Sequence, residues 1–303
     1  MIKNVYVTNY LDETLVLNLT RPEQSGFVIN SIDGLGPVKA SISTNQVLYH
    51  DGSIYSSARL NERNILFDLE FFETPTENVE TLRLKSYRIF PVKKKVTITV
   101  ETDAGYRYCT GYVESNEPTI FSKDTSTTIS VICPDPYWYD INNVVTIFTG
   151  TTPSFEFPLE NQSLINPLIS MGTVYINTEA NVPYLGGVPT GVLIVIDFLG
   201  AVTNLAIVNL STSETMVIDS TKLIALTGLN FMAGDKVYIN TISGSKSIYL
   251  YRQGVWISLL NCIDIVADWF ELHPGDNLFT YTANTGVGNV RLYMEHKTLF
   301  EGI

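Results

Sequence analysis

Residues Gly234–Leu260 read GDKVYINTISGSKSIYLYRQGVWISLL, and this stretch decides the fold class. Three runs, Val237–Ile242, Ile248–Tyr251 and Val255–Leu260, are separated by Ser-Gly and Gln-Gly turns. Short runs of β-branched and aromatic residues punctuated in this way predict a meander of antiparallel strands. Working outward, Val96, Ile98 and Val100 alternate with Thr97, Thr99 and Glu101, the period-two pattern of a strand with one buried face. Ser126–Ile132 behaves the same way. Val-Tyr-Ile-Asn-Thr occurs at 174–178 and again at 237–241, but its flanks do not match, so it reads as two similar strands and not as a repeat. The chain is mainly β.

One helix interrupts this pattern. Thr74-Pro75-Thr76-Glu77 has capping-box spacing, with Pro where a missing N–H costs nothing. Val79, Leu82, Ser86 and Ile89 then form a stripe at three- and four-residue steps, and Pro91 ends it. Lys93–Lys95 follow, placed to meet the C-terminal carbonyls. A helix among such strands predicts a β-sandwich with one helix packed on it.

The 303 residues suffice for two domains, and 45% hydrophobic residues suffice for a core in each. Only 17% are charged, against about 25% in an ordinary soluble chain, and the net charge is −12. Disorder is thereby excluded, and dedicated nucleic-acid binding is disfavoured, because an acidic chain lacks the phosphate-neutralising surface. Residues 1–140 hold thirteen Lys/Arg and eighteen Asp/Glu; residues 141–303 hold six and thirteen. Pro134, Pro136, Pro153, Pro158 and the polar stretch Thr149–Ser154 fall between the two compositions. A boundary near 140 is expected, giving domains 1–140 and 141–303. Cys109, Cys133 and Cys262 are odd in number and widely spaced, so neither a disulfide framework nor a zinc site is encoded, as befits a reducing compartment. Asp12 and Glu13 interrupt the N-terminus before any signal-peptide core forms, and the longest aliphatic run is Val192–Ile196. The reading is a soluble protein without membrane insertion.

Catalytic signatures are missing. His50, His273 and His296 have no nucleophile elbow to serve, and the zinc-protease, P-loop and dinucleotide motifs are absent. Asp264, Asp268, Glu271, His273 and Asp276 are dense in oxygen ligands but lack the alternating calcium-loop pattern, and His273–Asn277 reads as a tight turn. No spacing selects a pair of carboxylates for glycoside hydrolysis. The expectation is no catalytic residue, no metal and no cofactor. Tyr137-Trp138-Tyr139 offers amphipathic rings that suit a sugar platform or an interface anchor, with packing at the domain junction preferred. Together with Arg59 and Arg63 these are the candidate interface or junction residues.

Several stretches in order carry a family resemblance. They are Arg59–Phe67 (RLNERNILF), Thr81–Lys95 (TLRLKSYRIFPVKKK), Tyr112–Phe121 (YVESNEPTIF), Ile129–Asp140 (ISVICPDPYWYD), Gly234–Leu250 and Leu259–Tyr281 (LLNCIDIVADWFELHPGDNLFTY). With them the chain resembles the distal tail (Dit) proteins of long-tailed bacteriophages. The resemblance implies an N-terminal β-sandwich with a helix and a long hairpin, six copies of which form a ring between tail tube and tail tip. It implies an axial channel through which DNA passes as cargo, and a C-terminal galectin-like β-sandwich on which receptor-binding or other baseplate proteins dock. Tail tube, tail-tip lysin hub and baseplate proteins are the implied partners, and the virion, assembled in the host cytoplasm, is the implied location. A structural role, not an enzyme, follows. The rival reading is a module binding host cell-wall saccharide, which exposed aromatic rings beside polar side chains on a sheet would favour; a wall-degrading enzyme is the third.

Overall fold

The computed structural model describes residues 1–46, 51–121, 125–153 and 172–303, with the backbone alone at 149–153 and 172–176. His50, Ser154 and Pro158 lie outside the described residues. The chain divides into two compact units, Met1–Ile141 with Leu299–Ile303, and Asn142–Thr298. The last five residues had been expected in the second domain; they belong to the first unit, where the Ile303 amide donates to the Leu35 carbonyl at 3.1 Å.

The first unit contains β1 (Ile2–Thr8), β2 (Thr14–Asn18), β3 (Phe27–Asp33), β4 (Ala40–Asn45), β5 (Ile54–Leu60), β6 (Arg63–Phe71), α1 (Val79–Ile89), β7 (Lys95–Thr102), β8 (Gly105–Pro118) and β9 (Ser126–Cys133). It ends within β10 (Trp138–Ile147), the strand in which the chain passes to the second unit. All pairings are antiparallel: β2–β1–β7–β8 on one side, and β8–β9–β6–β3 on the other. The long β8 serves both runs, and a register shift between Val113 and Ser115 lets it bend from one to the other. Alternation fills the enclosed space: Val5, Val7, Ile65, Phe67, Leu69, Ile98, Val100, Ile129 and Val131 are buried in one core. α1 lays Leu82, Ser86 and Ile89 on it, the stripe that the spacing predicts.

Its cap differs from expectation. The residue that caps α1 is Asn78, whose side chain accepts from the Thr81 amide, while Thr74 accepts from the Glu77 amide at 3.0 Å. Thr74–Glu77 is thus a turn before the helix, because an Asn adjacent to the first helical residue outcompetes a box four residues upstream. Of the three lysines, Lys94 places its ammonium 5.3 Å from the Tyr10 ring centroid and Lys95 opens β7, so they leave the helix end.

The second unit contains β11 (Thr149–Pro153), β12 (Gly172–Ile176), β13 (Glu179–Tyr184), β14 (Thr190–Gly191), β15 (Leu193–Phe198), β16 (Leu205–Asn209), β17 (Glu214–Ile218), α2 (Ser220–Thr227), β18 (Lys236–Asn240), β19 (Ser247–Arg252), β20 (Val255–Ser258), β21 (Glu271–Leu272), β22 (Gly275–Thr282) and β23 (Val290–Phe300, within this unit as far as Thr298). Strands β23–β15–β18–β19–β20 form one antiparallel sheet and β13–β22–β16–β17 another. Ile194, Ile196, Val237, Ile239 and Leu250 of the first share a core with Ile207, Met216, Phe279 and Tyr281 of the second. The predicted meander is β18–β19–β20, in register from Lys236–Tyr251 to Arg252–Val255. α2 was not foreseen; Asp219 caps its start and Gly228, at φ +76°, its end.

Candidate assembly site

Arg63 opens β6 and points inward: it is 1% exposed. The loop after β3, which passes beside it, needs Gly34, whose φ is +84° and whose missing Cβ would lie 2.0 Å from the Asn64 carbonyl oxygen. That close approach turns carbonyls toward the guanidinium. Nη1 donates to Gly34 O and Gly36 O at 2.5 and 2.6 Å. Nε and Nη2 donate to Pro136 O at 2.9 and 2.6 Å, and Nη2 also to Glu301 O at 2.6 Å. The five N–H donors of a guanidinium are thereby all used on backbone carbonyls. Burial lowers the Arg63 pKa, yet a guanidinium stays charged. Trp138, fully buried, stacks beneath it with 5.3 Å between guanidinium carbon and ring centroid.

Arg63 therefore ties the loop after β3, the segment before β10 and the C-terminal residues into one knot. A second arginine reinforces it: Arg107 donates to Gly302 O at 2.8 Å and lies 3.7 Å from the Phe300 ring centroid. Beside the knot, the Cys109 and Cys133 sulfurs are 3.9 Å apart and buried, and burial pushes the Cys109 thiol up, so it stays protonated.

The other candidate residues lie around this knot. Tyr137 lines a small cleft with Pro37, Leu60 and Glu301. Tyr139 donates its hydroxyl to Asp135 and packs on Tyr108 with 5.7 Å between centroids. Arg59 is separate from all of these; it is exposed on β5.

Among the described residues β5 pairs only with β4, and every residue of both strands is exposed. Ile42 (63%) on β4 and Ile54 (56%) and Tyr55 (63%) on β5 lie bare. An isolated two-stranded ribbon is marginal in water, so a second surface laid on this hairpin would stabilise it. Residue-by-residue reading singled out Arg59 here but missed Ile42 and Tyr55; their signal was a period-two run with no second sheet to pair it.

The acidic cluster disperses into separate local contacts. Asp264 faces Lys222 at 3.5 Å, Asp268 accepts from the Thr215 amide at 3.1 Å and Asp276 from Asn181 at 2.7 Å. Asn277 closes the His273–Asn277 turn, accepting from the His273 amide and donating to its carbonyl. Among the described residues, no three His, Cys, Asp or Glu are grouped to hold a metal, and no helix is long and apolar enough to cross a membrane.

Residues 185–296 match the family described as siphovirus-type tail component, C-terminal domain. Along its whole length the chain is similar in fold to the crystal structure of the SPP1 Dit (gp 19.1) protein, titled a paradigm of the hub adsorption apparatus in Gram-positive-infecting phages. That likeness has a TM-score of 0.64 at 13% identity and covers 98% of this chain and 99% of the other. A chain of the phage P2 baseplate in its activated conformation with Ca aligns at TM-score 0.48 and 12% identity, over 98% of each chain. No curated protein matches the chain.

Proposed function

We infer, from the match of residues 185–296 to the siphovirus-type tail-component family and from the Dit-like fold of the whole chain, that this chain is a phage distal tail protein. Six copies of the first unit close a ring that joins the tail tube to the tail tip, and the second unit offers docking surface for receptor-binding or baseplate proteins. The observation that carries the ring is the β4–β5 hairpin, exposed on every residue and apolar at Ile42, Ile54 and Tyr55. A hairpin of one copy seated on a different patch of the next is a heterologous contact, and heterologous contacts that close give rings. The Arg63 knot keeps the base of that hairpin rigid: Gly34 and Gly36 lie just before β4, and Arg63 just after β5.

The acidic balance suits the axial channel. Acidic side chains around it would repel the DNA backbone and neutral ones would not hold it, so that it slides. Mass photometry of the purified chain should show a ring of about 200 kDa, six times the 33.8 kDa protomer. Ile42→Glu with Tyr55→Glu should leave folded protomers and no ring. An intact ring in the double variant would refute the hairpin's role.

A further inference from the structure

The core of the second unit lies on one face of the β23–β15–β18–β19–β20 sheet, and alternation sends a different set of side chains to the other face. Two cross-strand ladders cross it. One runs Tyr293–Val195–Tyr238–Tyr249–Ser258, the other Arg291–Asp197–Lys236–Tyr251–Trp256. Each spans four inter-strand gaps, or about 19 Å. The rings gather at the β20 edge. Trp256 is 57% exposed, with Tyr251, Tyr238 and Tyr249 at 5.0, 5.1 and 6.3 Å between centroids. None of these rings contributes to the core, whose members on the same strands are Val237, Ile239, Ile248 and Leu250.

We propose that this aromatic face is a binding site for a neutral saccharide chain. A pyranose has an apolar C–H face and a rim of hydroxyls, and it stacks on an exposed indole or phenol while its rim meets polar groups. The tyrosine hydroxyls and the indole N–H supply such groups at the edges of the rings. Charge selects the class of ligand. On this face Lys236 and Asp197 are 3.0 Å apart and mutually neutralising, while Arg291 and Glu295 stand on β23, the strand farthest from Trp256 in this sheet, on a chain of net −12. An anionic polymer finds repulsion overall and no spare cation beside Trp256, whereas an uncharged glycan finds stacking area without a charge to desolvate. Val195 is only 2% exposed although it is on this outward face, and its partners in register on either side are Tyr238 and Tyr293.

The site stands whether or not the first unit closes a ring, and the same samples test both. Intact protein is titrated with neutral hexose and N-acetylhexosamine tetrasaccharides, and with poly(glycerol phosphate) as the anionic control. Heat and tryptophan emission are followed, since Trp256 is the most exposed ring of the cluster. Binding of a neutral glycan with a blue shift is expected. Trp256→Ala should weaken it at least about tenfold, and Trp256→Phe, which can still stack, should weaken it less. Ring mass and circular dichroism of both variants should equal wild type, which separates loss of the site from loss of fold or assembly. Three results overturn the proposal: no neutral glycan bound by wild type, equal binding by Trp256→Ala, or binding of the anionic polymer alone. Loss of a tail-protein partner by Trp256→Ala, with no glycan bound by wild type, would assign the face to a protein instead.

Discussion

Arg63 carries a positive charge into the first unit, and its hydrogen-bond acceptors are backbone carbonyl oxygens. Arg63→Ala strands those carbonyls and is expected to cost about 3–5 kcal/mol in denaturant unfolding. Arg63→Lys keeps the charge but has three donors without the planar fork, and so recovers only part of that loss. A cost under about 1 kcal/mol for Arg63→Ala would contradict the knot. His296 makes the opposite demand. It is 3% exposed, edge-on to Tyr184 at 5.5 Å, and burial lowers its pKa. The unfolded chain then takes up the proton first, so stability is full above about 6.5 and falls as pH drops through that value. Urea midpoints at pH 8 and pH 5.5 should differ more in wild type than in His296→Leu; equal differences would sink the assignment. Arg63 and Trp138 drew notice in the sequence as interface or junction residues, but their mutual contact was not legible there. The Arg63 partners are 27 to 238 positions away, and no local pattern encodes a carbonyl that distant.

Elements whose burial alternates were the readable ones. β7, β18 and β19 each show the expected period, because one face is core and the other is not. The ends of helices were less legible, since several polar residues compete to cap them. Asn78 holds α1, so Asn78→Ala should cost about 1 kcal/mol in thermal unfolding and Thr74→Ala less. The reverse order would restore the upstream cap. α2 escaped notice because eight residues with buried positions only at Ser220 and Leu223 give hardly any stripe; Asp219 and Gly228 were its usable signals. The β4–β5 hairpin makes its own prediction. Its amides should exchange rapidly in dilute protomers and become protected once rings form. Protection already complete in the protomer would remove the need for a neighbour.

For the molecule as a whole, composition separated a more charged first part from a less charged second one, and a two-part chain was expected from it. The return of Leu299–Ile303 to the first unit was not foreseeable, because Arg63 and Arg107 bind its backbone and not its side chains. The net charge of −12 disfavours dedicated DNA binding and suits the proposed DNA conduit. Purified rings should leave duplex DNA unretarded in electrophoresis even at about 50 mM salt, where any basic lumen would bind it most tightly. The central claim is that this chain is the hub ring of a tail tip. Electron microscopy of intact tails, with the chain located in the density, tests it most directly. Six copies around the channel, between the last ring of the tube and the tip, are predicted. Copies confined to the periphery, or a number that does not close a ring, would contradict it.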